Sequence, residues 1–227
     1  MSPFPARRSP RNRPLCVIFG GGGHARVLLD ALVAGRTARP LGILDPKPAL
    51  QGQTLDGVPI VGGEDQLPDL IRSGATTFAV GVGSIGDSRV RERLFALGLS
   101  YKLSPLTIVA PSAIVSRQAA LGPGCQILPA AVVNAGARLG ANVIVNTGAI
   151  VEHDCEVGDH AHLATGARLC GNVMVGPGAH IGAGATVRQG LTIGARALVG
   201  AGAVVVREVP AGAVVAGVPA RPLRNRT

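Results

Sequence analysis

Aromatic side chains are nearly absent from this chain of 227 residues, which has no tryptophan, one tyrosine and four phenylalanines. None of them follows Tyr101. Proteins that bind single-stranded nucleic acid usually stack bases on aromatic rings, so this shortage argues against that class. The hydrophobic content is nevertheless 47%, which is enough for a substantial core built from aliphatic and small side chains.

Long apolar runs are also missing. No apolar stretch reaches the roughly 18 residues of a membrane-spanning helix. Residues 1–14 (MSPFPARRSPRNRP) lack the continuous apolar segment of a signal peptide. We therefore expect a cytoplasmic protein with no membrane insertion.

The four cysteines form no C-x-x-C pair, which argues against a zinc knuckle or a redox pair and favours reduced, packed thiols. They are Cys16, Cys125, Cys155 and Cys170.

Positive charge is concentrated at the two ends of the chain. The net charge is +9, and most of it comes from Arg7, Arg8, Arg11, Arg13, Arg221, Arg224 and Arg226. No basic helix or stacking aromatic residue accompanies these arginines, so we expect solvated tails at 1–14 and 221–227 and no nucleic-acid partner.

Residues 15–102 alternate between strand-like and helix-like segments. "LCVIF", "LGILD" and "TTFAVGVG" are typical of strands. "GGGGHARVLLDALVAG", "GEDQLPDLIRSG" and "SRVRERLFALG" are typical of helices, of which the first ends at Gly35 and the last at Gly98. This alternation predicts a Rossmann-like α/β domain with a small parallel sheet, half the size of a full dinucleotide-binding fold.

Residues 103–220 follow a strict period of six. The repeated aliphatic positions are Leu103, Val109, Val115, Leu121, Ile127, Val133, Leu139, Val145, Val151, Val157, Leu163, Leu169, Val175, Ile181, Val187, Ile193, Val199 and Val205. Four residues after each of these, from Leu121 to Val199, stands a small or apolar residue. This pattern predicts short strands joined by turns, with three strands closing one coil of a narrow prism that has no room for aromatic rings.

This repeat resembles that of the hexapeptide-repeat acyltransferases. The resemblance implies a left-handed parallel β-helix, a homotrimer, and acyl-CoA bound between neighbouring prisms. "VPAGAVVAGVPARPL" resembles the closing segment of these enzymes.

Three of the five histidines lie within ten residues in "NTGAIVEHDCEVGDHAHLATG". Because Val151 and Val157 point inward, His153 and Asp154 fall on an outward corner, and His162 directly precedes the inward Leu163. We therefore expect these side chains on exposed edges. A carboxylate beside an imidazole can hold one ring nitrogen protonated, so that the other nitrogen accepts a proton.

At these residues the chain is similar to bacterial sugar acetyltransferases, including UDP-4-amino-sugar N-acetyltransferases and sialic acid O-acetyltransferase homologues. The likeness also covers an N-terminal glycine motif, "NTGAIVEHDCEVGDHAHLATGARLCGNV" and "AGVPAR". It implies that His153 is the general base and Asp154 its orienting partner, and that Asn146 lies beside the substrate. It also implies acetyl-CoA contacts at His162, Gly171, Ala183 and Ala201.

The glycine motif "FGGGGHARV" follows a predicted strand and opens a predicted helix. Gly20, Gly22 and Ala25 satisfy G-x-G-x-x-A, and Asp45 follows twenty residues later. The resemblance implies a bound nucleotide sugar, with the phosphates near Gly20, Gly22 and Gly23, the sugar or pyrophosphate near His24, and the ribose or base near Asp45. Pro46 stands where relatives can carry a second acid, so UDP, GDP and CMP stay open.

Metal binding is the sharpest alternative, since hexapeptide-repeat carbonic anhydrases bind zinc through histidines. His162 and His180 are three repeats apart and should stack in successive coils, and His160 and His162 have the spacing of one strand face. Their spacing does not resemble the ligand separation in that family, so we predict no metal. O-acetylation of sialic acid or another sugar, and a non-catalytic trimer that binds nucleotide sugars, are two further alternatives.

Overall fold

The structure is a computed structural model that describes residues 13–223. It divides into two compact units. The α/β unit comprises residues 13–83 and 89–111, and the β-helix unit comprises residues 84–88 and 112–223. Of the predicted tails, residues 1–12 and 224–227 lie outside the described residues. No described helix is long and apolar enough to cross a membrane.

The α/β unit contains seven strands and three α-helices. The strands are β1 (Leu15–Phe19), β2 (Arg39–Leu44), β3 (Thr54–Leu55), β4 (Val58–Gly62), β5 (Ala75–Val80), β6 (Ser104–Pro105) and β7 (Ile108–Val109). The helices are α1 (Gly23–Gly35), α2 (Leu67–Arg72) and α3 (Arg89–Ser100). A six-stranded sheet has the order β3-β4-β2-β1-β5-β6, parallel except for β3. The predicted α/β fold is confirmed.

The centre of this sheet follows from its apolar sequence. Strand β1 pairs in parallel with β2 and β5, and a parallel strand covered on both sides needs a continuous apolar run rather than alternation. Val17 and Phe19 are fully buried, and the Phe19 ring meets Phe78 edge-to-face at 5.8 Å between centroids. Helix α1 packs its leucines into the same core, and Arg36, which follows its last residue, caps it with a left-handed φ of 53°.

One hairpin in this unit is absent from the sequence prediction. Strands β3 and β4 pair antiparallel around Asp56 and Gly57, whose φ values are 49° and 80°. Asp-Gly is the preferred pair for a two-residue hairpin turn with two positive φ angles, so "LDGV" was the available signal. The predicted second helix is also shorter than expected, because a 3₁₀ turn at Glu64–Gln66 precedes α2.

The β-helix unit is built from two-residue strands. They are β8 (Ile114–Val115), β9 (Ala120–Leu121), β10 (Gln126–Ile127), β11 (Val132–Val133), β12 (Arg138–Leu139), β13 (Ile144–Val145), β14 (Ile150–Val151), β15 (Glu156–Val157), β16 (His162–Leu163), β17 (Arg168–Leu169), β18 (Met174–Val175), β19 (His180–Ile181), β20 (Thr186–Val187), β21 (Thr192–Ile193), β22 (Leu198–Val199) and β23 (Val204–Val205), followed by β24 (Val214–Ala216) and β25 (Arg221–Pro222).

Parallel pairing of these strands creates three faces. The first face carries β10, β13, β16, β19, β22 and β24, with β25 antiparallel at its edge. The second face carries β8, β11, β14, β17, β20 and β23, and the third carries β9, β12, β15, β18 and β21. Partners within a face are three repeats apart, as in Val132 with Ile150 and Arg138 with Glu156. Each coil therefore contributes one strand to every face. The left-handed β-helix that the resemblance implied is confirmed.

The core of the β-helix follows the period of six. From Ile127 to Val205 every repeated aliphatic side chain is buried, and so is every small or apolar residue from Cys125 to Ala203 four positions after a repeated one. Leu103 and Val109, the first two members of the series, lie in the α/β unit. At the other end the period breaks, because Leu198 and Val199 pair with Val214 and Val215, sixteen positions further along.

The turns between faces share one backbone feature. Every sixth residue from 124 to 202 has a φ between 54° and 74°. Eight of these residues are glycines, and the other six are Ala130, Asn142, Asp154, His160, Asn172 and Arg196. A left-handed residue at a constant position gives every turn the same course, so residues three repeats apart come to lie on top of each other.

Candidate functional site

His153 and Asp154 lie in the turn that leads from β14 on the second face to β15 on the third face. The His153 Nδ1 and Asp154 Oδ2 atoms are 2.9 Å apart, and the two side chains are 63% and 67% exposed. Because an ionised carboxylate can only accept, Nδ1 carries the proton in this contact. In the neutral ring, Nε2 is therefore left as the proton acceptor.

The local backbone brings these neighbours together. Consecutive side chains of an extended strand point to opposite sides, so two adjacent residues need a turn to meet. Asp154 supplies it with a φ of 58°, a conformation that aspartate tolerates better than most side chains. Glu152, the other nearby carboxylate, accepts a hydrogen bond from Asn134 Nδ2 at 2.9 Å.

Gly171 lies one coil further along and directly beside the His153 ring. A Cβ on Gly171 would overlap Nε2 and would come within 2.5 Å of Cε1. The His153 carbonyl accepts a hydrogen bond from the amide of Asn172 at 2.9 Å, which holds the two turns in this register. The structure thus places Gly171, for which the resemblance implied an acetyl-CoA contact, beside Nε2 of His153.

The prediction that His162 is exposed is wrong. Its residue is 6% exposed, and its Nδ1 donates to the Ser84 carbonyl at 2.8 Å. Residues 84–88 belong to the β-helix unit although they are distant from it in sequence, so the repeat pattern alone could not show this cover. Asn146 Nδ2 lies 3.4 Å from His162 Nε2, which places the two predicted residues side by side.

The remaining histidines of the cluster have separate surroundings. His162 pairs with His180 across the first face, as the spacing predicted, and their rings meet edge-to-face at 4.9 Å between centroids. His160 is instead a turn residue with a φ of 61°, and its Nδ1 lies 3.0 Å from Asn142 Nδ2. The expectation that His160 and His162 share a strand face is therefore wrong. Among residues 13–223 no three His, Cys, Asp or Glu side chains are grouped for a metal ion.

Ala183 and Ala201 are exposed turn residues between the first and second faces. Gly202, the neighbour of Ala201, donates its amide hydrogen to the Ala183 carbonyl at 2.8 Å, so the two alanines stack in successive coils. This edge differs from the one that carries His153. Within one chain the structure does not bring these alanines and His153 together.

The predicted glycine motif opens a cavity of about 310 Å³ in the α/β unit. Gly20 has a φ of 95°, and a Cβ there would come within 2.5 Å of Val82 Cγ2, so only glycine fits. Gly22 and Gly23 border open space, where a Cβ would meet nothing within 4 Å. His24 also lines this cavity beside Gly83. The four predicted residues are thus brought together at the start of α1.

Asp45 closes the same cavity with a buried carboxylate. Its Oδ2 accepts from the Gly21 amide at 2.8 Å and its Oδ1 accepts from the Lys47 amide at 3.0 Å. The carboxylate therefore ties the glycine loop to the end of β2, a role that the sequence analysis did not assign to it.

Three charged side chains around this cavity were not predicted from the sequence. Lys47, Glu64 and Arg93 line it, and Arg93 holds Glu64 through two contacts of 2.6 and 2.7 Å. The side-chain hydrogen bond to Glu64 raises the pKa of Arg93. Lys47 was recognisable as the second residue after Asp45, whereas no local pattern connects residues 64 and 93.

Two of the three cysteines in the β-helix pack in its core. Cys125 and Cys155 are fully buried, and their thiols donate to the carbonyls of Gly140 and Cys170 at 3.1 Å. Burial raises the pKa of the Cys155 thiol, which keeps it protonated. The predicted packing of these two thiols is confirmed.

Comparisons with known proteins agree with this architecture. Residues 16–96 match the PglD N-terminal domain. The structure of PerB from Caulobacter crescentus, in complex with CoA and GDP-perosamine, is 39% identical with a TM-score of 0.86. The match covers 92% of this chain and 97% of that one. The chain belongs to the hexapeptide-repeat sugar acetyltransferases.

Further members of the hexapeptide-repeat sugar acetyltransferases match over similar lengths. The acetyltransferase domain of PglB from Neisseria gonorrhoeae, in complex with acetyl coenzyme A, is 35% identical, with a TM-score of 0.86 and coverage of 93% of this chain and 100% of that one. WeeI from Acinetobacter baumannii is 30% identical, with a TM-score of 0.80 and coverage of 92% and 99%. A comparison with curated proteins found no significant match. This hexapeptide-repeat sugar acetyltransferase is thus an acyltransferase, as predicted.

Proposed function

We propose that this protein is an acetyl-CoA-dependent N-acetyltransferase that acts on the amino group of a nucleotide-linked amino sugar used for a surface glycan. The observation that carries the proposal is the exposed His153 ring, whose Nδ1 is held by Asp154. The relatives add support, since a perosamine N-acetyltransferase from Caulobacter crescentus was crystallised with CoA and GDP-perosamine. We also propose a cytoplasmic localisation, as expected from the sequence.

In the proposed reaction His153 is the general base. The amine nitrogen attacks the thioester carbonyl, a C–N bond forms, and the C–S bond of acetyl-CoA breaks. The proton lost by the amine goes to Nε2 of His153 and then to the departing CoA thiolate. Asp154 stabilises the imidazolium that forms, and the backbone at Gly171 is the candidate for stabilising the oxyanion. No covalent enzyme intermediate and no metal enter this scheme.

The cavity of the α/β unit is the proposed site for the nucleotide. Helix α1 begins there, and the amides at a helix N-terminus favour phosphate oxygens. The open space beside Gly22 and Gly23 would let a pyrophosphate approach the backbone, and Lys47 lines the same cavity with a positive charge. His24 and Asp45 remain the proposed neighbours of the sugar and the nucleoside.

A homotrimer would complete the reaction site. His153 lies between the second and third faces, whereas His162 lies on the first face, on the other side of the buried core. One acetyl-CoA molecule can contact both side chains only if they come from different chains. A threefold assembly that packs the His153 edge of one chain against the first face of the next meets this condition, and acetyl-CoA would lie between them.

The reaction itself is tested with purified full-length protein, acetyl-CoA and a panel of nucleotide amino sugars. We expect release of free CoA thiol with amine acceptors and mass spectra that show an acetamido product. Release with sialic acid alone would favour O-acetylation instead. No thiol release with any acceptor, together with binding of nucleotide sugars, would favour the non-catalytic alternative.

The shared site is tested by mixing two variants, each of which lacks one of the two histidines. His153→Ala and His162→Ala chains, unfolded and refolded together, should recover part of the activity because some interfaces combine one intact residue from each chain. Refolding each variant alone is the control. If the mixture stays as inactive as both controls although sedimentation shows trimers, the shared site is refuted.

A further inference from the structure

We propose that Gly136 is a positioning residue for the His153–Asp154 pair, because its missing side chain leaves the space that the Asp154 carboxylate occupies. The expected effect on catalysis rests on the proposed function, whereas the effect on the position of the Asp154 carboxylate does not. Gly136 belongs to no sequence motif that we connected with the site.

Gly136 and Asp154 lie at the same position of successive coils. They are three repeats apart, and the amide of Asp154 donates to the carbonyl of Ala135 at 3.0 Å. A Cβ on Gly136 would overlap Asp154 Oδ1 and would lie 3.3 Å from Cγ. The other carboxylate oxygen, Oδ2, is the one that meets His153 Nδ1. Filling this space would therefore displace the carboxylate from the imidazole.

The turn backbone does not by itself require glycine at position 136. Its φ is 74°, but Ala130 occupies the same position of the preceding turn with a φ of 57°. Five other non-glycine residues adopt this conformation in later turns. What distinguishes Gly136 is the neighbour that its side chain would meet. At Gly190, which has a φ of 69°, a Cβ would meet nothing within 4 Å.

The pair is bordered by a glycine on each side along the coil axis. Gly136 borders the carboxylate from the preceding coil, and Gly171 borders the imidazole from the following coil. The obstructed atoms belong to exposed side chains with rotatable bonds, so an added methyl group would move the side chains rather than the backbone. We therefore expect Gly136→Ala to change the pair and to leave the β-helix folded.

The first test observes the His153 ring directly by ¹⁵N NMR of full-length protein labelled at its histidines. The Nδ1 and Nε2 shifts of the neutral ring report which nitrogen carries the proton, and His153→Gln assigns the signal. We expect the Nδ1–H form in the wild type and a majority of the Nε2–H form in Gly136→Ala. Gly190→Ala is the matched control, because it also places an alanine at a positive φ angle. It should retain the wild-type signal.

The second test measures kcat/KM for acetyl transfer. We expect Gly136→Ala to lower it about tenfold or more, and Gly190→Ala to change it less than twofold. Adding Gly136→Ala to an Asp154→Ala chain should cause no further loss, because the carboxylate that it displaces is already gone. A merely structural effect would instead lower the activity of the double variant again.

Two outcomes would overturn the inference. One is a His153 signal in Gly136→Ala that matches the wild type. The other is an equal loss of kcat/KM in Gly136→Ala and Gly190→Ala. A wild-type protein that releases no CoA would refute the proposed function alone, since the NMR comparison would still decide whether Gly136 positions the pair.

Discussion

The two units of this protein relate sequence to structure in different ways. In the β-helix unit each coil consists of three repeats, so a position in the period of six tells which side chains point into the core. In the α/β unit the connections differ from one another, as the hairpin at Asp56 and the 3₁₀ turn before α2 show. A repeated turn makes side-chain placement predictable, whereas individual loops place side chains through contacts distant in sequence.

The largest expected effect is the loss of activity on replacing His153, the turn residue that we propose as the general base. His153→Ala should lower kcat/KM by roughly 10²–10⁴, because it removes the proposed general base. The thermal midpoint should stay the same, because the side chain is exposed. Thiol release measures the activity.

His160→Ala is the matched control, since His160 is also a turn residue of the β-helix. It should retain most of the activity. A comparable loss in both variants would show that the position of His153 carries no special role.

The next prediction tests the buried and exposed positions of one strand. Leu169→Ala should lower the free energy of unfolding by about 2–5 kcal/mol, because Leu169 is fully buried in a narrow core. Arg168→Ala, at the exposed neighbouring residue, should change it by less than about 0.5 kcal/mol. Urea unfolding measures both. Equal effects would contradict the inward and outward assignment.

Asp45 tests the α/β unit. Asp45→Ala leaves the Gly21 and Lys47 amides without the carboxylate that accepts their hydrogen bonds. This should lower the free energy of unfolding by about 1–3 kcal/mol. We expect the KM for the nucleotide sugar to rise about tenfold and the KM for acetyl-CoA to stay unchanged. Asp30→Ala, at an exposed position of α1, is the control. An equal rise in both KM values would contradict the prediction that the glycine loop affects binding of the nucleotide sugar and not of acetyl-CoA.

The smallest effect concerns the buried thiol of β1. Burial raises the pKa of Cys16 from 9.0 to about 12. The unfolded chain therefore loses this proton first as the pH rises above 9, and the free energy of unfolding falls by about 1.4 kcal/mol between pH 8 and pH 10. Urea unfolding of wild type and Cys16→Ala should show a difference that changes between pH 8 and pH 10. A difference that is constant with pH would contradict this.

Part of the site could be predicted from the sequence because it lies in the repeat. His153 and Asp154 were assigned to an outward corner from the inward Val151 and Val157, and the structure has them exposed and 2.9 Å apart. The space beside Gly136 was not predictable in the same way, since a glycine in a turn normally indicates only backbone freedom. Its importance depends on which side chain lies one coil away.

The sequence by itself determined the β-helix core, the outward His153–Asp154 pair and the glycine loop, because each depends on local periodicity or on neighbouring residues. Only the tertiary structure decided that Ser84 covers His162, that Asp45 holds two backbone amides, and that the last coil is two residues shorter. Two of these contacts join distant residues, since Ser84 lies 78 positions from His162 and Gly21 lies 24 positions from Asp45. Their contacts follow from how segments pack against each other, which a local pattern does not record.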